Sequence, residues 1–110
     1  MSNRIRASEG TWTTGNVAGV LSKERISFPE GTVKLIRLLP QASYPRHQHP
    51  ARTEWAYVLA GSPTLTVGDE VHDATTGDFV IFPTDTLHAL ENRGEEEALL
   101  LVGAVYHAAQ

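Results

Sequence analysis

His47 and His49 stand two residues apart, and Glu54 follows after the four-residue connection Pro50, Ala51, Arg52 and Thr53. If residues 43–49 form a strand, alternation sends both imidazoles to one face. The short connection then lets the chain turn back and start a neighbouring strand at Glu54, with its carboxylate facing the two rings. Two imidazoles and a carboxylate placed in this way chelate a divalent cation, and the donors suit Fe, Mn, Ni, Cu, Co or Zn, with geometry and supply deciding among them. Cysteine is absent. Disulfides, thiolate ligands and a Cys nucleophile are therefore excluded, and any metal must be held by His and carboxylate.

A His-x-His pair among five histidines carries little weight alone. The wider pattern carries more. One block runs His47-x-His49, four residues, Glu54, six residues, Gly61; a second runs Gly77, five residues, Pro83, four residues, His88, three residues, Asn92, with 15 residues from Ser62 to Thr76 between them. Over residues 41–92 these blocks resemble the two signature motifs of the cupin superfamily at its shortest usual spacing. The resemblance implies an all-β fold, the double-stranded β-helix or jelly-roll barrel, holding one divalent metal ion on His47, His49, Glu54 and His88. Two positions depart from the pattern, Gln41 and Asp85, each where the family usually has Gly. Neither is a ligand position, and Asp tolerates left-handed backbone better than most residues. Ahead of the first motif, Gly19-Val20, residues 33–38 and Tyr44-Pro45 are similar to zinc-binding cupin modules of some anti-sigma factors.

The elements that must position these groups are strands. Gly and Pro interrupt the chain evenly, leaving segments of about 5 to 9 residues. Expected strands are residues 17–21, 32–39, 43–49, 54–60, 64–67, 70–72, 78–82, 86–92 and 98–106. Gly68-Asp69 suits a two-residue hairpin with Gly first, and Arg93 to Glu97 an exposed loop. No window holds a helical period. The 110 residues suffice for one barrel, so residues 16–110 read as a single cupin domain and residues 1–15 as an N-terminal arm that Trp12 could anchor.

With 41% hydrophobic and 20% charged residues the chain is neither disordered nor membranous in composition. Its formal charge of −4 lacks the basic footprint of a nucleic-acid binder. The longest apolar run, residues 98–105, is too short to span a bilayer, and the polar first twelve residues do not read as a secretory signal. No nucleic acid, no membrane and a cytoplasmic location are expected.

Strand parity from Glu54 points Ala56, Val58 and Ala60 inward, and parity from His88 adds Leu90, an apolar cavity for a small organic molecule. Trp55, Tyr57 and Leu59 point outward and need cover, for which a homodimer is expected. His72 and His107 lie outside both motifs and are excluded as ligands. Tyr44, Arg37 and Arg46 are the other polar groups near enough to matter, with Arg46 facing out. The full ligand set resembles the redox-capable members of the family and implies a metal-dependent oxidoreductase of the dioxygenase type, with Glu54 able to serve also as catalytic base. A non-redox isomerase or cyclase using the metal as Lewis acid, or a non-enzymatic sensory module, are the alternatives.

Overall fold

Strands follow one another without an intervening helix through residues 3–107, the part of the chain that this computed structural model describes. The outermost ends of the expected arm and barrel domain, residues 1–2 and 108–110, lie outside the described residues. The strands are β1 (Thr13–Thr14), β2 (Val20–Phe28), β3 (Gly31–Leu38), β4 (Ser43–His47), β5 (Arg52–Ala60), β6 (Thr64–Val67), β7 (Glu70–Asp73), β8 (Phe79–Phe82), β9 (His88–Glu91) and β10 (Ala98–Tyr106). They form a six-stranded sheet in the order β1-β2-β3-β10-β5-β8 and a four-stranded sheet in the order β4-β9-β6-β7. All pairings are antiparallel. The result is an all-β jelly-roll barrel, its inner faces meeting at Leu38, Val58, Leu65 and Leu100, which are fully enclosed.

Most expected strands are present within a residue or two. The first is displaced: it begins at Val20 and continues to Phe28, through Lys23, Glu24 and Arg25, where alternation is broken because β2 shifts register against β3 between Glu24 and Ile26. β5 begins two residues earlier than expected, at Arg52, and does not pair with β4 but lies in the opposite sheet. Ala60 is exposed, not inward, because the pairing of β5 with β10 shifts between Leu99 and Leu100 and leaves Leu59 as the extra residue of a bulge.

A second bulge matters for the site. β4 aligns Tyr44 with Leu90 and His47 with His88, so three steps on β4 match two on β9. The extra residue falls at Pro45-Arg46, where a Pro without N–H costs the ladder nothing. Tyr44 and His47, which strict alternation would put on opposite faces, thereby come to line the same cavity.

Left-handed backbone occurs at the two positions where the motifs usually have Gly, with φ of 68° at Gln41 and 58° at Asp85, and also at Ala51 with φ of 59°. The turns keep the shape although the residue has changed. Gln41 adds a compensation, since its Nε2 donates to the carbonyls of Arg93 and Gly94.

Asn92 ends β9 and is 2% exposed. Its Nδ2 donates to the carbonyls of Leu38 at 2.9 Å and Glu96 at 2.7 Å, and its Oδ1 accepts from the N–H of Gly94 at 3.1 Å. One side chain therefore ties the strand carrying His88 to the facing sheet. Replacing it, Asn92→Ala, leaves a buried carbonyl without a donor and should cost about 1–3 kcal/mol, measured by urea unfolding. A loss well under that range would show that the clamp is dispensable.

Candidate metal centre

Antiparallel pairing sets the first contact of the site. His47 at the end of β4 is the register partner of His88 on β9, and their ring centroids are 4.2 Å apart. His49 lies two residues beyond the end of β4, past the last ladder bond, yet its ring remains beside the others at 4.8 Å from His47 and 5.6 Å from His88. One donor nitrogen from each ring lies within 4.8 Å of the other two, so the three histidines could together hold a metal ion. Glu54 approaches from the opposite sheet. Its Oε1 is 3.3 Å from His49 Nε2 and 3.7 Å from His88 Nε2.

The imidazole tautomers are preset by the backbone. Nδ1–H of His47 donates to the carbonyl of Pro45 at 2.9 Å, and Nδ1–H of His88 donates to that of Thr86 at 3.2 Å. A nitrogen facing a carbonyl must carry the proton, which leaves Nε2 of each ring with its lone pair free for a cation. Packing fixes the ring planes: Phe82 stacks on His88 at 4.5 Å and 14°, and Tyr44 meets His47 edge-on at 4.6 Å.

Electrostatics favour the neutral rings that metal binding requires. Burial lowers the pKa of His49, helped by the positive charge of Arg52 and opposed by Glu54. Burial likewise lowers that of His88, against the hydrogen bond to Thr86, which raises it. The three imidazoles thus fit a borderline divalent ion, with the carboxylate of Glu54 standing beside them.

The groups face a cavity of about 350 Å³. Its wall is apolar only in part. Leu90 lines it as expected from strand parity, beside Val17, Val20 and Val102. Ala56 and Val58 point inward but are enclosed in the core and take no part in the lining, which also includes Tyr44, Lys34 and Arg52. Sequence reasoning misses these two cations, although alternation puts Lys34 on the face of Ile36 and Leu38 and Arg52 on that of Glu54, because Arg52 reads as part of the connection that precedes the strand. Arg37 instead lies outside, ion-paired with Glu97 and beneath Trp12, and Arg46 is exposed. His72 is 3.2 Å from Glu70, and His107 bonds the Thr53 hydroxyl at 2.7 Å; neither belongs to the histidine group.

Comparison with known proteins agrees with this geometry. The family model described as "Cupin domain" matches residues 34–103, more than half of the chain. Protein SchB of Streptomyces halstedii is 29% identical over 87 residues, covering 79% of this chain and 63% of that protein. An oxalate decarboxylase of Arthroderma benhamiae is 35% identical over 71 residues, 60% of this chain but 17% of that one. The chain thus spans less than two thirds of either relative. Among solved structures, KdgF from Halomonas sp. superposes with a TM-score of 0.87 over 98% of this chain and 96% of that one, at 18% identity, a likeness of fold.

The lowered histidines predict a pH dependence. A ring that stays neutral when folded binds fewer protons than the unfolded chain, whose imidazoles titrate near 6.5. Stability then rises with pH: this contribution is fully present above about pH 6.5 and is lost as pH falls through the lowered folded values. The urea midpoint of metal-free protein should fall between about pH 7.5 and pH 5.5, and His88→Asn should flatten the profile. A midpoint that does not move across this interval would contradict the assignment of buried neutral rings.

Proposed function

The chain belongs to the cupin domain family, and on that premise we propose that it is a mononuclear metal-dependent enzyme of the oxygenase type. In this proposal His47, His49, His88 and Glu54 hold one divalent ion, and a small organic molecule occupies the adjoining cavity. The observation that carries the reading is the convergence of three imidazoles, two of them with Nδ1 tied to backbone carbonyls, beside a carboxylate at the cavity wall. When bound, such an ion supplies Lewis-acid or electron-transfer chemistry toward substrate and dioxygen. The chain's own residues do the rest. The two backbone-tied rings stay oriented without substrate, Phe82 and Tyr44 pack against them, and the carboxylate of Glu54 is placed to take a proton from the substrate when it leaves the ion. Its exposure of 6% keeps that carboxylate from being levelled by bulk water. A non-redox metal-dependent reaction, a lyase, isomerase or cyclase, is the second reading, favoured by the similarity to an oxalate decarboxylase over 60% of the chain.

Residence in the cytoplasm and a division into an arm (residues 1–15) and a barrel (residues 16–110) belong to the same proposal. Among the described residues no helix is long and apolar enough to cross a membrane.

A homodimer is proposed from the outer face of the six-stranded sheet. Phe79 and Ile81 on β8 are 66% and 63% exposed, and Phe28 on β2 is 63% exposed. Phe79 packs on Tyr57 at 4.4 Å and lies 6.1 Å from Trp55, so the patch is continuous across the sheet. The N-terminal segment does not cover it: Lys23 and Arg25 of β2 bond the carbonyls of Ala7, Arg6 and Glu9, and Trp12 lies over Arg37. Apolar patches of this kind on a soluble protein mark association.

Metal analysis of anaerobically purified protein, with oxygen uptake on added substrates, tests the reaction type. Glu54→Gln should keep appreciable metal while losing roughly two to four orders of magnitude in turnover, and His49→Ala should lose the metal. Full loading with a redox-active metal and no oxygen uptake on diketones, catechols or flavonols would turn the reading to the non-redox one. Sedimentation should show a dimer that Ile81→Glu converts to a folded monomer; a monomeric parent protein would remove the dimer from the proposal.

A further inference from the structure

Lys34 and Arg52 line the same cavity as the histidines, and the proposed metal centre leaves their charge unused. Lys34 lies on β3 opposite the buried Val102 of β10. Among the described residues its ammonium makes no hydrogen bond or ion pair. Arg52 reaches Glu54 Oε1 only at 3.6 Å through Nη2, beyond hydrogen-bond distance. Its Nε is buried without any partner. A guanidinium donor enclosed with no acceptor is an unfavourable arrangement that native structures seldom leave uncorrected.

The charges at the wall do not balance. Lys34 and Arg52 stand against Glu54 alone, a surplus of one positive charge before any divalent ion is counted. This runs against the sign of the molecule as a whole, whose formal charge is −4. A guanidinium binds carboxylate oxygens through its N–H donors. In Arg52 Nε is enclosed away from the cavity and Nη2 is only loosely engaged with Glu54, which leaves the Nη end of the group to meet a ligand. Val17, Val20 and Val102 supply an apolar side to the same space.

We infer that the cavity binds a small monocarboxylate, held by the Nη end of the Arg52 guanidinium, with Lys34 as the second cation and the apolar wall against its carbon frame. One carboxylate cancels the surplus charge of the wall, whereas a phosphate dianion overshoots it. The inference rests on the proposed function only in taking this cavity as the place where the small molecule is held. It turns the substrate class from neutral apolar compounds to organic acids.

Isothermal titration of the full chain, metal-loaded and again after chelation, tests this with benzoate, benzamide and inorganic phosphate as probes. Benzoate should bind saturably in both states, with benzamide and, after chelation, phosphate at least about tenfold weaker. Arg52→Gln and Lys34→Gln should each weaken benzoate by about tenfold or more, and Arg52→Lys should recover part of the loss, with thermal unfolding reporting that each variant is folded. Should Arg52→Gln fail to fold, Lys34→Gln and Arg52→Lys decide the matter. Benzoate binding no tighter than benzamide, phosphate binding tighter than benzoate in the chelated protein, or Lys34→Gln binding benzoate as well as the parent would each overturn the inference. Metal content, measured separately, keeps the two ideas apart: benzoate binding in a chain that takes up no metal supports the inference while removing the proposed function.

Discussion

A carboxylate buried between two sheets has to be answered by positive charge or by donors, because its solvation is lost and nothing apolar replaces it. Glu54 meets that demand with charge from one side only: Arg52 of its own strand stands 3.6 Å away, while His49 and His88 bring Nε2 to 3.3 and 3.7 Å on neutral rings that carry no positive charge to answer it. The same sheet-on-sheet packing that encloses Leu38, Val58, Leu65 and Leu100 keeps these groups together around the carboxylate. The fold and the site are one arrangement seen at two scales: antiparallel pairing sets His47 against His88, and sheet-on-sheet packing sets both against Glu54.

Much of this was legible in the residues. The spacing of Gly and Pro marks an all-β chain, and the two blocks from His47 to Gly61 and from Gly77 to Asn92 mark which strands must face each other. What escaped was local and had a common cause. Strict alternation misplaces Ala60 and the strand through Lys23 to Arg25, and in each case a bulge or register shift adds one residue and turns the following side chains to the other face; the bulge at Pro45-Arg46 brings Tyr44, already named among the nearby polar groups, onto the face of His47. Bulges leave little trace in composition; only Pro45 hints at one here. Arg52 and Lys34 escaped for a different reason. Alternation marks them correctly, but a charged residue near a strand end is ordinarily taken as solvated, and only the closed geometry shows that these two face the interior.

The two faces of the six-stranded sheet show how one rule of burial is met in different ways. Inside, β5 contributes Glu54, Ala56 and Val58, all buried. Outside, the first half of β2 is covered by the chain's own beginning, with Lys23 and Arg25 bonded to backbone carbonyls of residues 6–9 and Trp12 set over two cations. The end of β2 and the strand β8 have no such cover and keep Phe28, Phe79 and Ile81 in the open. Trp55 lies flat across Gly103, where a Cβ would stand 2.1 Å from the ring. Glycine at that position is a matter of room for the indole and not of backbone freedom.

Gln41 shows how a position can leave glycine behind without leaving its shape. The left-handed turn costs a side-chain-bearing residue something, and here the amide of that same side chain reaches across to two carbonyls of the loop after β9. The residue that looks like a loss when the motif is compared letter by letter is a fastening between the chain ahead of β4 and the chain behind β9, the two strands that carry His47 and His88. Shape at this position is carried by the dihedral angle and held in place by the side chain, so that a glycine at position 41 would keep the turn and lose the fastening.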